Sequence, residues 1–108
     1  MTDIMQELYQ TVTARKNESA ENSYTSYLFA QGLDKILKKV GEECAEVIIA
    51  AKNSEPDALI GETADLLYHL SVLLCERGVF WESVREELEH RAQKIGNKKV
   101  IKNVDRNT

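Results

Sequence analysis

The sequence predicts an all-α fold: a bundle of four helices completed by a second copy of the same chain. Helix breakers are scarce, with five glycines and a single proline, Pro56, in 108 residues, while Leu, Ile, Ala, Glu and Lys are abundant. Apolar residues recur at helical spacing along most of the chain. One domain of this size has room for only a modest core, and such domains often gain stability by oligomerising.

The elements follow in order. Ile4, Leu8 and Val12, with Met5 and Tyr9 beside them, mark a first helix from Thr2 or Asp3 to about Arg15. Its early acid and basic end suit the helix dipole. The polar run Asn17 to Asn22 reads as a loop. Ser23 then caps a short helix through Tyr24, Thr25 and Phe29 that closes near Gly32. The next long helix is expected to start at Asp34 as N-cap and to run to Lys52 or Asn53. Its apolar face is Leu33, Ile36, Leu37, Val40, Cys44, Val47, Ile48 and Ala51, and the opposite side carries Lys35, Lys38, Lys39, Glu42, Glu43 and Glu46.

Ser54 is expected to cap a further helix, with Pro56 in its first turn, where a missing N–H costs little. That helix continues to Arg77 and stops at Gly78. It is apolar around nearly its whole circumference; only a narrow strip with Glu62, Asp65, His69 and Glu76 is ionisable. A helix of this kind must be buried on more than one side, which in so short a chain points to a homodimer. A last helix, Trp81 to about Lys94, turns Val84, Leu88 and Ile95 inward. Residues 1–95 thus read as one domain and 96–108 as a tail.

The net charge of −4 is uneven, because Lys94, Lys98, Lys99, Lys102 and Arg106 against Asp105 make the end basic and leave an acidic body. An acidic body argues against general nucleic-acid binding, and the tail reads as a mobile, solvated end. No N-terminal segment combines a basic start with an apolar run, and no apolar stretch is expected to reach bilayer-spanning length, so the expected compartment is the cytoplasm, with no membrane partner. Cys44 and Cys75 lack metal-type spacing and lie in apolar helical patterns. Both read as buried, reduced thiols.

The chemistry lies in two acidic clusters, Glu42-Glu43-x-x-Glu46 and Glu62-x-x-Asp65. At about 100° per residue each cluster points one way. The first has a bland reading as a solvated face, but its Lys38–Glu42 and Lys39–Glu43 pairs run in the weaker orientation for helix stability. For the second the bland reading is weaker, because burying an unpaired carboxylate in an apolar helix is costly unless it is neutralised, paired or bound to metal. If the two helices pack antiparallel through the turn at Asn53 to Pro56, the clusters face each other. Oxygen-only ligation suits Mg²⁺ or Mn²⁺. A cage not closed by protein ligands calls for a phosphate-bearing substrate, and diphosphate release from a nucleotide is the natural chemistry. Lys38 and Lys39, on the same face, are placed to hold phosphates. His69 reads equally as a residue orienting ligand or substrate and as a hydrogen-bonded structural histidine. His90, among glutamates, reads as surface. A di-iron bundle would want Glu-x-x-His on two helices, and here Asp65 follows Glu62 instead.

At these residues the chain resembles a known superfamily, the all-α nucleoside triphosphate pyrophosphatases of the MazG type. Ser23-Tyr24-Thr25-Ser26, Lys35-Ile36-x-Lys38-Lys39-Val40-Gly41-Glu42-Glu43 and Glu62-x-Ala64-Asp65-Leu66-Leu67-Tyr68-His69 narrow this to a resemblance to the phosphoribosyl-ATP pyrophosphatase family, over roughly residues 3 to 95. The resemblance implies hydrolysis of phosphoribosyl-ATP to phosphoribosyl-AMP and diphosphate, the second step of histidine biosynthesis, by a Mg²⁺-dependent homodimer. Carried over by position, Glu43, Glu46, Glu62 and Asp65 would be metal ligands, with Glu42 beside them or acting as the water-activating base. Ser23, Tyr24 and Thr25 would lie near the substrate. Position 27, often basic in relatives, is Tyr27 here and carries no implied contact, and Cys44 stands where a small Ala is common. Some relatives are fused to the cyclohydrolase of the next step, for which a chain of this length has no room. A rival reading is a broader house-cleaning pyrophosphatase; a non-catalytic dimerisation module leaves Glu62 and Asp65 without a reason.

Overall fold

The computed structural model of the chain describes residues 3–95. Within them it is all-α, with α1 (Ile4–Arg15), α2 (Tyr24–Gln31), α3 (Leu33–Lys52), α4 (Pro56–Glu76) and α5 (Trp81–Ile95). The tail expected over 96–108 lies outside the described residues, as does the Ile95 side chain.

The helix ends are set by specific hydrogen bonds. Asp3 caps α1 by accepting from Met5 N at 3.2 Å and also pairs with Arg85 of α5. Ser23 caps α2 by accepting from Ser26 N at 3.0 Å. Gly32, at φ 95°, takes the chain from α2 straight into α3: its N–H bonds to Leu28 O and its carbonyl accepts from Ile36 N. This glycine, not Asp34, is therefore the N-cap of α3, and Asp34 sits in the first turn, where an acid still suits the dipole. A similar shift occurs at α4. Glu55 rather than Ser54 holds the N-cap position, and the joint is fixed by Asn53 Oδ1 accepting from Glu55 N at 3.0 Å. At the other end Gly78, at φ 71°, closes α4 in a Schellman arrangement, with Val79 N bonded to Leu74 O and Gly78 N to Cys75 O.

α3 and α4 form the central hairpin, and α1 and α2 pack on it. The α3 stripe turned toward its neighbours is Ile36, Val40, Glu43, Val47 and Ala50, with Ile36 and Ala50 buried and the others half-buried. Steps of four and three residues are the spacing of a helix–helix seam. This stripe lies to one side of the expected apolar face. Leu37, Cys44, Ile48 and Ala51 are exposed, so only one of the two expected buried thiols, Cys75, is in the core. Glu43, expected on the polar side, is instead inside the seam. On α5, Val84 is half-buried as expected, but Leu88 is 59% exposed.

The core is Val12, Leu28, Ile36, Val72 and Cys75, drawn from four helices at the end of the hairpin far from its turn. Toward the turn the cover thins, leaving Ile48 and Ile60 each 66% exposed. α4 has 21 residues and a mean hydropathy of 1.3 over an 18-residue window, so by length and composition it does qualify as a bilayer-crossing helix, contrary to expectation. Its contacts with α1, α2 and α3 and its strip of Glu62, Asp65 and His69 make it the central helix of the bundle. Trp81 anchors α5 on it, donating from Nε1 to Ser71 Oγ at 2.8 Å, while Ser71 donates to Leu67 O.

Candidate active site

In the α3–α4 seam the apolar stripe is interrupted by carboxylates. Glu43 occupies one seam position of α3, and Glu62 and Asp65 occupy two of α4. Each offers an oxygen within 4.8 Å of the others. Glu43 and Glu62 are half-buried and Asp65 is exposed, so the group opens toward solvent on one side. Burial pushes the Glu62 carboxyl above the usual carboxylate range, and the negative charges of Glu46, Asp65 and Glu43 push it further. Three hard oxygen donors converging at one opening fit a hard divalent cation.

Glu46 is not one of the three converging carboxylates, although its charge reaches Glu62. Glu42 points elsewhere, pairing with Lys39 at 3.1 Å on the exposed face. That hydrogen bond holds Glu42 below, and Lys39 above, their ordinary values, and a carboxylate held low is a poor proton acceptor. Lys38 is exposed beside them. The three hydroxyls expected near the substrate, Ser23 at the cap of α2 and Tyr24 and Thr25 within it, have different fates. Ser23 is spent on the cap and on Ser26 Oγ at 2.9 Å, and Thr25 bonds to Tyr68 of α4. Tyr24, 46% exposed, bonds through its hydroxyl to His69 Nε2 at 3.1 Å. His69 is buried and its Nδ1 is bonded to the Asp65 carbonyl. Tyr24 lies between Tyr27 and Tyr68, with ring centroids 6.2 and 6.3 Å away.

A family model described as phosphoribosyl-ATP pyrophosphohydrolase matches residues 5–92. The chain belongs to this family. Relatives named phosphoribosyl-ATP pyrophosphatase come from Clostridium novyi (strain NT), 54% identical over 90% of this chain and 88% of its own length, and from Lactiplantibacillus plantarum, 56% identical over 88% of this chain and 90% of its own length. The histidine biosynthesis bifunctional protein HisIE of Lactococcus lactis subsp. lactis is 52% identical over 91% of this chain but only 46% of its own length.

In this phosphoribosyl-ATP pyrophosphohydrolase family member the sequence alone does not single out Tyr68 and Tyr27 as flanking Tyr24. A signal for Tyr68 exists in its adjacency to His69, because neighbouring helix positions are about 100° apart and both meet α2. Tyr27 carries no such signal, since its place beside Tyr24 depends on how α2 docks.

Proposed function

We propose that the chain hydrolyses phosphoribosyl-ATP to phosphoribosyl-AMP and diphosphate, the second step of histidine biosynthesis, using Mg²⁺ or Mn²⁺. The observation that carries this reading is the convergence of Glu43, Glu62 and Asp65 inside the α3–α4 seam, in a chain of this family. Those three residues would hold the cation, with Glu46 as a fourth ligand drawn in once a cation offsets the repulsion. When bound, the ion supplies Lewis acidity toward phosphate oxygens and neutralises the charge between an anionic substrate and an acidic site.

The chain's own residues do the rest. Lys39, steered by Glu42, and Lys38 hold the phosphates from the exposed side of the seam. Tyr24 borders the same opening, while Ser23 and Thr25 act by fixing α2 beside it. Water attacks one of the two phosphorus atoms that flank the oxygen bridging the α and β phosphates, the bond from that phosphorus to the bridging oxygen breaks, and phosphoribosyl-AMP and diphosphate separate as the water's proton passes to the carboxylate group. The hydrogen bond to Lys39 makes Glu42 better suited to orienting that lysine than to serving as the base.

The working unit is proposed to be a homodimer in the cytoplasm, built from the single domain 1–95 followed by a basic tail. Exposed Ile48 and Ile49 on α3 and Leu59 and Ile60 on α4, all near the hairpin turn, support the dimer. Comparing phosphoribosyl-ATP with ATP and dUTP as substrates tests the proposal: preference for phosphoribosyl-ATP is expected, and preference for a simple nucleoside triphosphate would replace this reading with a house-cleaning pyrophosphatase.

A further inference from the structure

His69 is only 6% exposed, and both of its ring nitrogens are spent inside the protein. Nδ1 lies 2.8 Å from the Asp65 carbonyl oxygen. A carbonyl can only accept, so Nδ1 carries the proton. In the uncharged ring Nε2 is then an acceptor, and the Tyr24 hydroxyl, 3.1 Å away, donates to it. The Tyr24 oxygen keeps its lone pairs for another donor. Burial raises the Tyr24 hydroxyl above its ordinary pKa, the Lys39 ammonium opposes the rise, and Glu43 and Glu42 add to it. Through His69 the phenol is tied to Asp65, one of the three carboxylate residues of the seam. Docking of α2 alone does not call for this bond, because Thr25 and Tyr68 already join α2 to α4 one residue along.

We propose that His69 is a positioning residue: by bridging the Asp65 carbonyl and the Tyr24 hydroxyl, it fixes the Tyr24 phenol beside the acidic seam with its oxygen lone pairs left for a hydroxyl donor of the substrate. This deepens the proposed function and rests on it. His69 itself does not touch substrate.

The test uses His69→Asn, His69→Gln, Tyr24→Phe and the double variant Tyr24→Phe/His69→Asn in the full chain. An Asn amide reaches the place of Nδ1 and keeps only the Asp65 bond, whereas a Gln amide reaches the place of Nε2 and keeps the bond to Tyr24. His69→Asn and Tyr24→Phe should each raise KM about tenfold, the effect of losing one hydrogen bond at a group that orients substrate, with kcat within about twofold. His69→Gln should stay within about threefold of wild type, and the double variant should match the singles. A double variant whose losses multiply to about a hundredfold overturns the proposal, as does His69→Asn with a wild-type KM or His69→Gln as impaired as His69→Asn. Wild-type chain that does not hydrolyse phosphoribosyl-ATP at all overturns the proposed function instead. Long-range ¹⁵N–¹H spectra of the metal-free protein then decide the positioning proposal separately: Nδ1-protonated His69, with an Nε2 resonance that moves in Tyr24→Phe, is expected, and an Nε2-protonated ring overturns it.

Discussion

Glu43 of α3 and Glu62 of α4 bring carboxylate oxygens within 4.8 Å of each other across a helix seam whose neighbouring positions are apolar. Two such groups in a seam cost stability unless a cation or a proton lies between them.

Glu62→Gln and Asp65→Asn should each lower Mg²⁺-dependent turnover by on the order of a hundredfold or more, since even the outer partners of metal ligands are worth about 10–100-fold. The metal-free fold should survive, with an unchanged or higher melting temperature as repulsion falls. Circular dichroism with steady-state kinetics checks both halves; full activity in both variants would remove the metal-site model.

The raised Glu62 carboxyl sets a pH dependence. Unfolded, Glu62 gives up its proton at the ordinary carboxylate value; folded, burial and then the charges of Glu46, Asp65 and Glu43 delay that loss. Between the two values the folded state binds more protons, so metal-free stability falls as pH rises through that window. Below the window this penalty is absent, and above it the penalty is complete. Thermal melts should show the fall without metal, a flatter profile with saturating Mg²⁺, and a reduced fall in Glu62→Gln.

Leu28 is fully buried at the meeting point of α1, α2, α3 and α4. Leu28→Ala should cost about 2–5 kcal/mol in urea unfolding. By contrast Leu88→Ala, at a position 59% exposed, should change stability by about 0.5 kcal/mol or less.

If the exposed isoleucines near the hairpin turn are the subunit contact, Ile48→Glu or Ile60→Glu should convert a dimer to monomers. Light scattering after size exclusion reads this directly. A wild-type chain that is already monomeric, or glutamate variants that remain dimeric, would contradict the assignment.

Much of this was legible in the sequence, and the exceptions have separate physical causes. The order of the helical segments, the Ser23 cap and the Gly78 stop follow from local chemistry and stand where expected, although the short α2 makes five helices where a bundle of four was expected. Helical phase alone does not say which part of a broad apolar face meets another helix. α3 has apolar side chains over a wider arc than one neighbour covers, so Leu37, Cys44 and Ile48 are left outside while Glu43 is drawn in. The spacing Ile36–Val40–Glu43–Val47–Ala50 is visible in the sequence, but the packing on α4 is needed to choose it. The caps of α3 and α4 shift because Gly32 and Asn53 fix the backbone before Asp34 or Ser54 is reached. His69 needed the structure for a different reason: its two partners are one turn behind it on α4 and across on α2, and only docking brings Tyr24 to Nε2.

The most direct measurement is ³¹P NMR of phosphoribosyl-ATP incubated with the protein and Mg²⁺, followed in parallel with the Asp65→Asn variant. Equal amounts of phosphoribosyl-AMP and diphosphate, formed only by the wild type and only with the metal, are predicted. Release of orthophosphate, or diphosphate formed equally well by Asp65→Asn or without metal, would contradict the account.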